Sequence, residues 1–386
     1  MLARSWVLVA SDFVRHGGMD RANYELAFWL AREGARVDLV GHRIDDELAA
    51  HANVVAHRVP RPLGADLLGN ALLAPAGMRV ARARVAAAPE TRVVVNGGNC
   101  PWPDANWVHA VHRAWPVRDS GAKLPFRVKN RIGKWSFLAT ERLALSRARV
   151  VLANSEKTRR ELVTLLGVSE ERVRVVYLGC DPAVDRPLDR AAVEARRAEL
   201  GVAPGESMVV FVGALGSDRN KGLDTLLDAW GHLRAAGRAR RHLLVAGRAN
   251  PMWQREIAAR GLEGDVRLLG FRRDVGDIVG AADLMVAPSR YDSYGLAVQE
   301  ALCREVAVLV SARAGVAERY PAALASLILP DPEDARDLAA KVTAWERDRA
   351  RLAPEVAKLG ELLRRHDWPS TARELVAAIE SPRPTP

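Results

Sequence analysis

Short, almost unbroken apolar runs rich in Val and Leu recur through the whole chain and alternate with longer stretches of helical periodicity. A run of strand length with no polar interruption must be covered on both faces, as in a parallel sheet wrapped by helices. The pattern predicts strands at 6–10, 37–41, 93–96, 107–110, 150–153 and 173–178 in the first half. In the second half it predicts them at 208–212, 243–246, 266–269, 284–287 and 307–310. Two such series in a chain of 386 residues imply an α/β protein of two Rossmann-like domains, 1–182 and 207–365. Prolines at 182, 187 and 204 surround a polar stretch, so 183–206 reads as a linker. Residues 366–386 read as a terminal helix with Trp368, Ala372, Leu375, Val376 and Ile379 on one face, followed by an end that frays.

No stretch approaches the roughly 18–20 apolar residues of a membrane span, and the first strand begins too early for a signal peptide. Both features imply a cytoplasmic protein. Cys100, Cys180 and Cys303 have neither metal-ligand nor redox spacing and read as free thiols. The net charge of +10 is uneven: residues 1–180 hold 27 Lys and Arg against 17 Asp and Glu. Within them, 113–149 carries ten basic side chains interleaved with Trp115, Phe126, Trp135 and Phe137. Such a stretch fits peripheral contact with an anionic inner membrane face or a phosphate-bearing acceptor. Nucleic acid is not an expected partner, because no recognition motif accompanies the charge.

Two segments of the second half carry chemistry. Residues 287–300 read Ala-Pro-Ser-Arg-Tyr-Asp-Ser-Tyr-Gly-Leu-Ala-Val-Gln-Glu. A helix opening near Gly295 would offer backbone N–H groups from Ser293, Tyr294, Gly295 and Leu296 to an anion, while Asp292 and Glu300 could accept from hydroxyls. Residues 208–230 place a strand, a glycine-flanked basic loop with Arg219 and Lys221, and a helix in succession. Cations there could neutralise a pyrophosphate. In the first half, Gly17 and Gly18 follow the first strand and permit close approach of a phosphate, although no Gly-x-Gly-x-x-Gly is present. His109 and His112 lie three apart at a strand end, and either can be structural or active.

In order along the chain stand Gly17-Gly18, His109, Ala-Asn-Ser at 153–155, Tyr-Leu-Gly-Cys-Asp at 177–181, Val-Gly-Ala-Leu leading to Lys221-Gly222, and the acidic pair. This series resembles the retaining glycosyltransferases of family 4, with the GT-B fold of two Rossmann-like domains facing across a cleft. The resemblance implies transfer of a sugar from a nucleoside diphosphate sugar to an acceptor hydroxyl, with retention and without a metal or other cofactor. It makes His109 the active-site histidine, with His112 as fallback. It gives Asp292 the donor sugar, Glu300 the ribose, and Phe271 and Arg272 the neighbourhood of the base. Two positions depart from the family pattern: Asp292 replaces a glutamate, and Ala214 stands where an arginine is usual. Arg219 is expected to take that arginine's part. A sugar-nucleotide epimerase and a non-catalytic sugar-nucleotide-binding protein are the alternatives on the same fold. The acceptor, whether glycan, lipid-linked or small molecule, is unspecified.

Overall fold

The computed structural model describes residues 2–64, 66–116, 124–216, 219–237 and 241–381, with side chains of 66–67 and 124–132 left aside. The chain divides into two compact units, one built from Met1–Trp115, Lys123–Gly179 and Asp367–Pro386, the other containing Cys180–His366.

The main sheet of the first unit is built from β1 (Ser5–Val9), β2 (Arg36–Gly41), β3 (Val54–Arg58), β4 (Arg92–Asn96), β5 (Ala105–Val108), β6 (Val150–Ala153) and β7 (Val173–Val175). They form one parallel sheet in the order β3-β2-β1-β4-β5-β6-β7. Every residue of β1, β5 and β6 is buried, as the apolar runs require. The second unit repeats the plan. Its strands β8 (Ser207–Val212), β9 (Arg241–Ala246), β10 (Val266–Gly270), β11 (Leu284–Ala287), β12 (Ala307–Ser311) and β13 (Ile328–Leu329) run β10-β9-β8-β11-β12-β13, all parallel.

Among the helices that position functional side chains or brace the sheets are α1 (Gly18–Arg32), α2 (Leu124–Arg147), α3 (Arg190–Glu199), α4 (Leu223–Ala235), α5 (Leu296–Cys303), α6 (Ala335–Arg364) and α7 (Trp368–Glu380). The terminal helix α7 begins where the Asp367 carboxylate accepts from the Ser370 N–H at 2.8 Å. It packs on α1 through the apolar face read from sequence, burying Trp368, Ala372, Leu375, Val376 and Ile379.

Residues 183–206 do not behave as a linker. They fold into the second unit, because their charges find fixed partners there: Arg196 meets Asp274 at 2.9 Å and Arg197 meets Asp283 at 2.9 Å. Asp185, 1% exposed in its side chain, holds Arg304 at 2.6 Å. Cys180 and Cys303, remote in sequence, are neighbours in the fold. The neighbouring Cys180 thiol, with burial, pushes the Cys303 thiol far above its ordinary range. Cys100 lies buried in the first unit, and burial raises its thiol to about 12. Strands β3 and β13 were absent from the periodicity-based expectation.

Removing one partner of a buried ion pair leaves the other charge without compensation, which costs about 3–5 kcal/mol. Asp185→Ala is therefore expected to lower the urea midpoint of the second unit substantially. A midpoint equal to wild type would contradict the role given to this pair.

Candidate functional site

In doubly wound sheets of this strand order, ligands bind outside the carboxyl ends of the strands where the order reverses, here β8 and β11. The connections at that point are 213–222 and 288–295, the two segments that stood out in sequence.

Glycine brings these loops together. Gly222 sits at the start of α4 with φ +74°, and a Cβ there would lie 2.1 Å from the Pro288 carbonyl oxygen. Only a residue without a side chain can close that approach. Across the junction the Arg290 N–H donates to the Asn220 carbonyl at 2.8 Å, and Asn220 Nδ2 donates to the Tyr291 carbonyl at 2.9 Å. At Gly213 a Cβ would stand 3.3 Å from Lys221 Cγ, so the missing side chain makes room for the lysine stem. Lys221 Nζ then donates to Asp292 Oδ2 at 2.7 Å, with the lysine side chain 34% exposed.

The second loop is pinned from its other side. The Gly315 N–H donates to the Asp292 carbonyl at 3.2 Å, and the Val316 N–H to the Tyr294 carbonyl at 2.7 Å. Gly295, with φ +103°, opens α5 and brings no side chain to cap it. The first-turn N–H groups and the positive end of the helix are thus presented to a ligand. A small cavity lined by Lys221, Ser289, Asp292, Gly295 and Ala314 lies at this junction. Ser293, Tyr294 and Leu296 are buried, and the Tyr294 hydroxyl donates to Gln299 Oε1. Their side chains support the loop, so contacts with a ligand here would come through backbone. Glu300 is half-buried further along α5.

Arg219 departs from expectation. Its guanidinium donates to Glu256 at 2.7 Å, lies 3.6 Å from Asp224 and covers the Trp253 ring at 5.8 Å. Hydrogen bonds from Arg260 first, then Arg219, hold the Glu256 carboxyl below its usual range. The cation read as a replacement for the missing arginine is committed to this cluster. Arg272 is likewise bound to Asp274, at 2.8 and 2.6 Å, whereas Phe271 exposes its ring beneath Arg248 at the carboxyl end of β10. A broader groove of about 760 Å³ between α4 and the start of α6 is lined by Asp228, His232, Arg260 and Glu333 among others. Arg260 pairs there with Asp228, and Glu333 with Arg290.

In the first unit, Gly17 has φ +96° and precedes Gly18 at the start of α1, beyond the carboxyl end of β1. His109 follows β5. It is 7% exposed, its ring 4.3 Å from that of Trp107, and burial lowers its pKa to about 3. The imidazole is therefore neutral at physiological pH and can exchange hydrogen bonds without bringing positive charge. His112 has a structural place: its Nδ1 and its backbone N–H meet Oε1 of the buried Glu141 at 3.0 and 3.1 Å, and its ring stacks on Phe137.

Residues 16–184 match the model described as Glycosyltransferase Family 4, and 206–348 the one described as Glycosyl transferases group 1. The chain belongs to the family 4 glycosyltransferases. A D-inositol 3-phosphate glycosyltransferase of Nocardia farcinica is 33% identical over 258 residues, 64% of this chain and 54% of that protein. The chain spans about half the length of the curated relatives it matches. Among solved structures, sucrose-phosphate synthase from Thermosynechococcus elongatus has a TM-score of 0.75 at 19% identity, covering 96% of this chain and 97% of that one. The Anabaena protein HepE, in complex with UDP and glucose, has a TM-score of 0.72 at 18% identity, covering 99% and 100%. These likenesses establish the GT-B fold of this family 4 chain.

The state of His109 has a consequence for stability. Its folded pKa of about 3 lies below the value of about 6.5 for an unfolded histidine. Between these values the unfolded chain takes up a proton that the folded one refuses, so stability is full above pH 6.5 and declines as pH falls. In His109→Gln the loss of stability between pH 6.5 and 4.5 is expected to be shallower by up to one proton. Equal slopes in variant and wild type would contradict the buried, neutral histidine.

Proposed function

We propose that this family 4 chain transfers a glycosyl group from a nucleoside diphosphate sugar to an acceptor hydroxyl, with retention of anomeric configuration and without a metal. The observation that carries this reading is the meeting of Lys221, Asp292 and the open start of α5 at the switch point of the second sheet. Breaking the anomeric C–O bond places negative charge on the diphosphate. Fixed donors that meet this charge favour the transition state over the bound substrate. Lys221 and the first-turn N–H groups of α5 would supply that compensation, which makes a divalent cation dispensable. Asp292, released from Lys221 by the diphosphate, would accept from the donor sugar's hydroxyls, and Glu300 from the ribose. In the first unit the neutral His109 would be the active-site histidine, able to hydrogen-bond without bringing positive charge. Retention follows if the acceptor enters on the leaving group's face and a diphosphate oxygen takes its proton.

Donor binding tests the reading. In EDTA-containing buffer, one series among UDP-, GDP-, ADP- and dTDP-sugars is expected to raise the melting temperature of wild type, and Lys221→Ala and Glu300→Ala to lose that shift. Unchanged shifts in both variants would move the donor elsewhere. Product identification then separates transfer from epimerisation, since an epimerase alters the donor sugar with no acceptor present.

The reading extends to peripheral membrane contact through the basic stretch. Among the described residues no helix is long and apolar enough to cross a membrane. On α2, however, Trp135 is 73% and Leu143 44% exposed, beside exposed Arg142 and Arg147. Trp135 and Arg142, seven residues apart, share a helix face, and an exposed ring with an arginine suits an anionic lipid surface. Flotation with vesicles containing phosphatidylglycerol is expected to carry wild type upward and to carry Trp135→Ala less. Equal flotation with purely zwitterionic vesicles would remove the electrostatic basis of this contact.

A further inference from the structure

Arg290 lies between the two loops of the candidate donor site, in the polar sequence Pro-Ser-Arg-Tyr. Its side chain is nevertheless only 5% exposed. Nε donates to Glu333 Oε1 at 2.7 Å. One terminal nitrogen donates to Asp224 Oδ1 at 2.8 Å and to the Arg219 carbonyl. The other donates to Asp224 Oδ2 at 2.9 Å and to Thr225 Oγ1 at 3.3 Å. A guanidinium has five N–H donors, and these five contacts use them all. Desolvation opposes the charge, and the hydrogen bonds to Asp224 and Glu333 outweigh it, so the guanidinium stays charged with a raised pKa.

The partners are informative. Arg219 belongs to the loop that carries Lys221, while Asp224 and Thr225 form the first turn of α4 directly after it. Arg290 itself is two residues before Asp292. Its side chain therefore bridges the loop of Lys221 to the loop of Asp292, alongside the Arg290 N–H and Asn220 hydrogen bonds between the same two segments. A carboxylate facing a guanidinium through two parallel hydrogen bonds fixes both separation and angle, which a lysine, as a point charge, does not.

We propose that Arg290 is a positioning residue for donor recognition: it sets the register of the two loops so that Lys221 and Asp292 meet at the donor diphosphate. It touches neither donor nor acceptor. The claim rests on the proposed placement of the donor at Lys221 and α5, and goes beyond it by assigning the precision of that site to a buried side chain behind it.

The test is steady-state kinetics and donor calorimetry on Arg290→Lys, with the nucleotide sugar that binds wild type, and with unfolding midpoints measured in parallel. In folded Arg290→Lys the donor KM and Kd are expected to rise about tenfold or more while the acceptor KM stays near wild type. Glu333→Gln is the second variant. It weakens one anchor of the guanidinium and leaves both loops intact, and a severalfold rise in donor KM at nearly unchanged stability is expected. Wild-type donor KM and Kd in folded Arg290→Lys would overturn the assignment. If Arg290→Lys does not fold, unaltered donor binding by Glu333→Gln would overturn it. A wild type that binds no nucleotide sugar overturns the donor site itself, a result separate from either variant's behaviour.

Discussion

The closeness of backbone at Gly222 and Pro288 is the constraint on which the site in the second unit depends. A methyl group at Gly222 would penetrate the Pro288 carbonyl. Without that approach, loops that follow two different strands would not lie side by side, Asn220 could not reach the Tyr291 carbonyl, and Lys221 would not face Asp292. Sheet topology brings the two loops to one crevice, glycine lets them touch, and Arg290 fixes how they touch. Each step narrows the freedom left to the next, so the ammonium and the carboxylate are held before any ligand arrives.

The electrostatics divide into two regimes. Lys221 and Asp292 form a partly exposed pair, which an incoming diphosphate can separate at small cost because exposed ion pairs are weak. Arg219, Arg260, Glu256 and Asp224 form a cluster whose charges are satisfied within the protein. An arginine in that cluster would give up strong hydrogen bonds to reach a ligand, which argues for Lys221 and the start of α5 as the working positive charge. In the first unit His109 adds none, since burial keeps it neutral.

Much of this architecture could be read from sequence because parallel strands buried on both faces leave continuous apolar runs. The runs at 208–212 and 284–287 correspond to β8 and β11 almost residue for residue. Strand β3 escaped because only Val54 is buried and His57 and Arg58 interrupt its apolar character. Prolines around a polar stretch make 183–206 read as a linker, whereas Arg196, Arg197 and Asp185 are anchors within the second unit. Lys221, Asp292 and Gly295 were recognisable from spacing along the chain. The commitment of Arg219 to Glu256, the neighbouring Cys180 and Cys303 thiols and the burial of Arg290 depend on contacts between distant segments, which one-dimensional patterns do not encode.

Crystals grown with the nucleotide sugar that binds most tightly would show whether the donor sits at the junction of these two loops. The diphosphate is expected beside Lys221 Nζ and against the N–H groups at the start of α5, with the ribose at Glu300 and Asp292 turned from Lys221 to the donor sugar. A diphosphate bound away from Lys221 and α5, or a Lys221–Asp292 bond unchanged in the complex, would refute that placement.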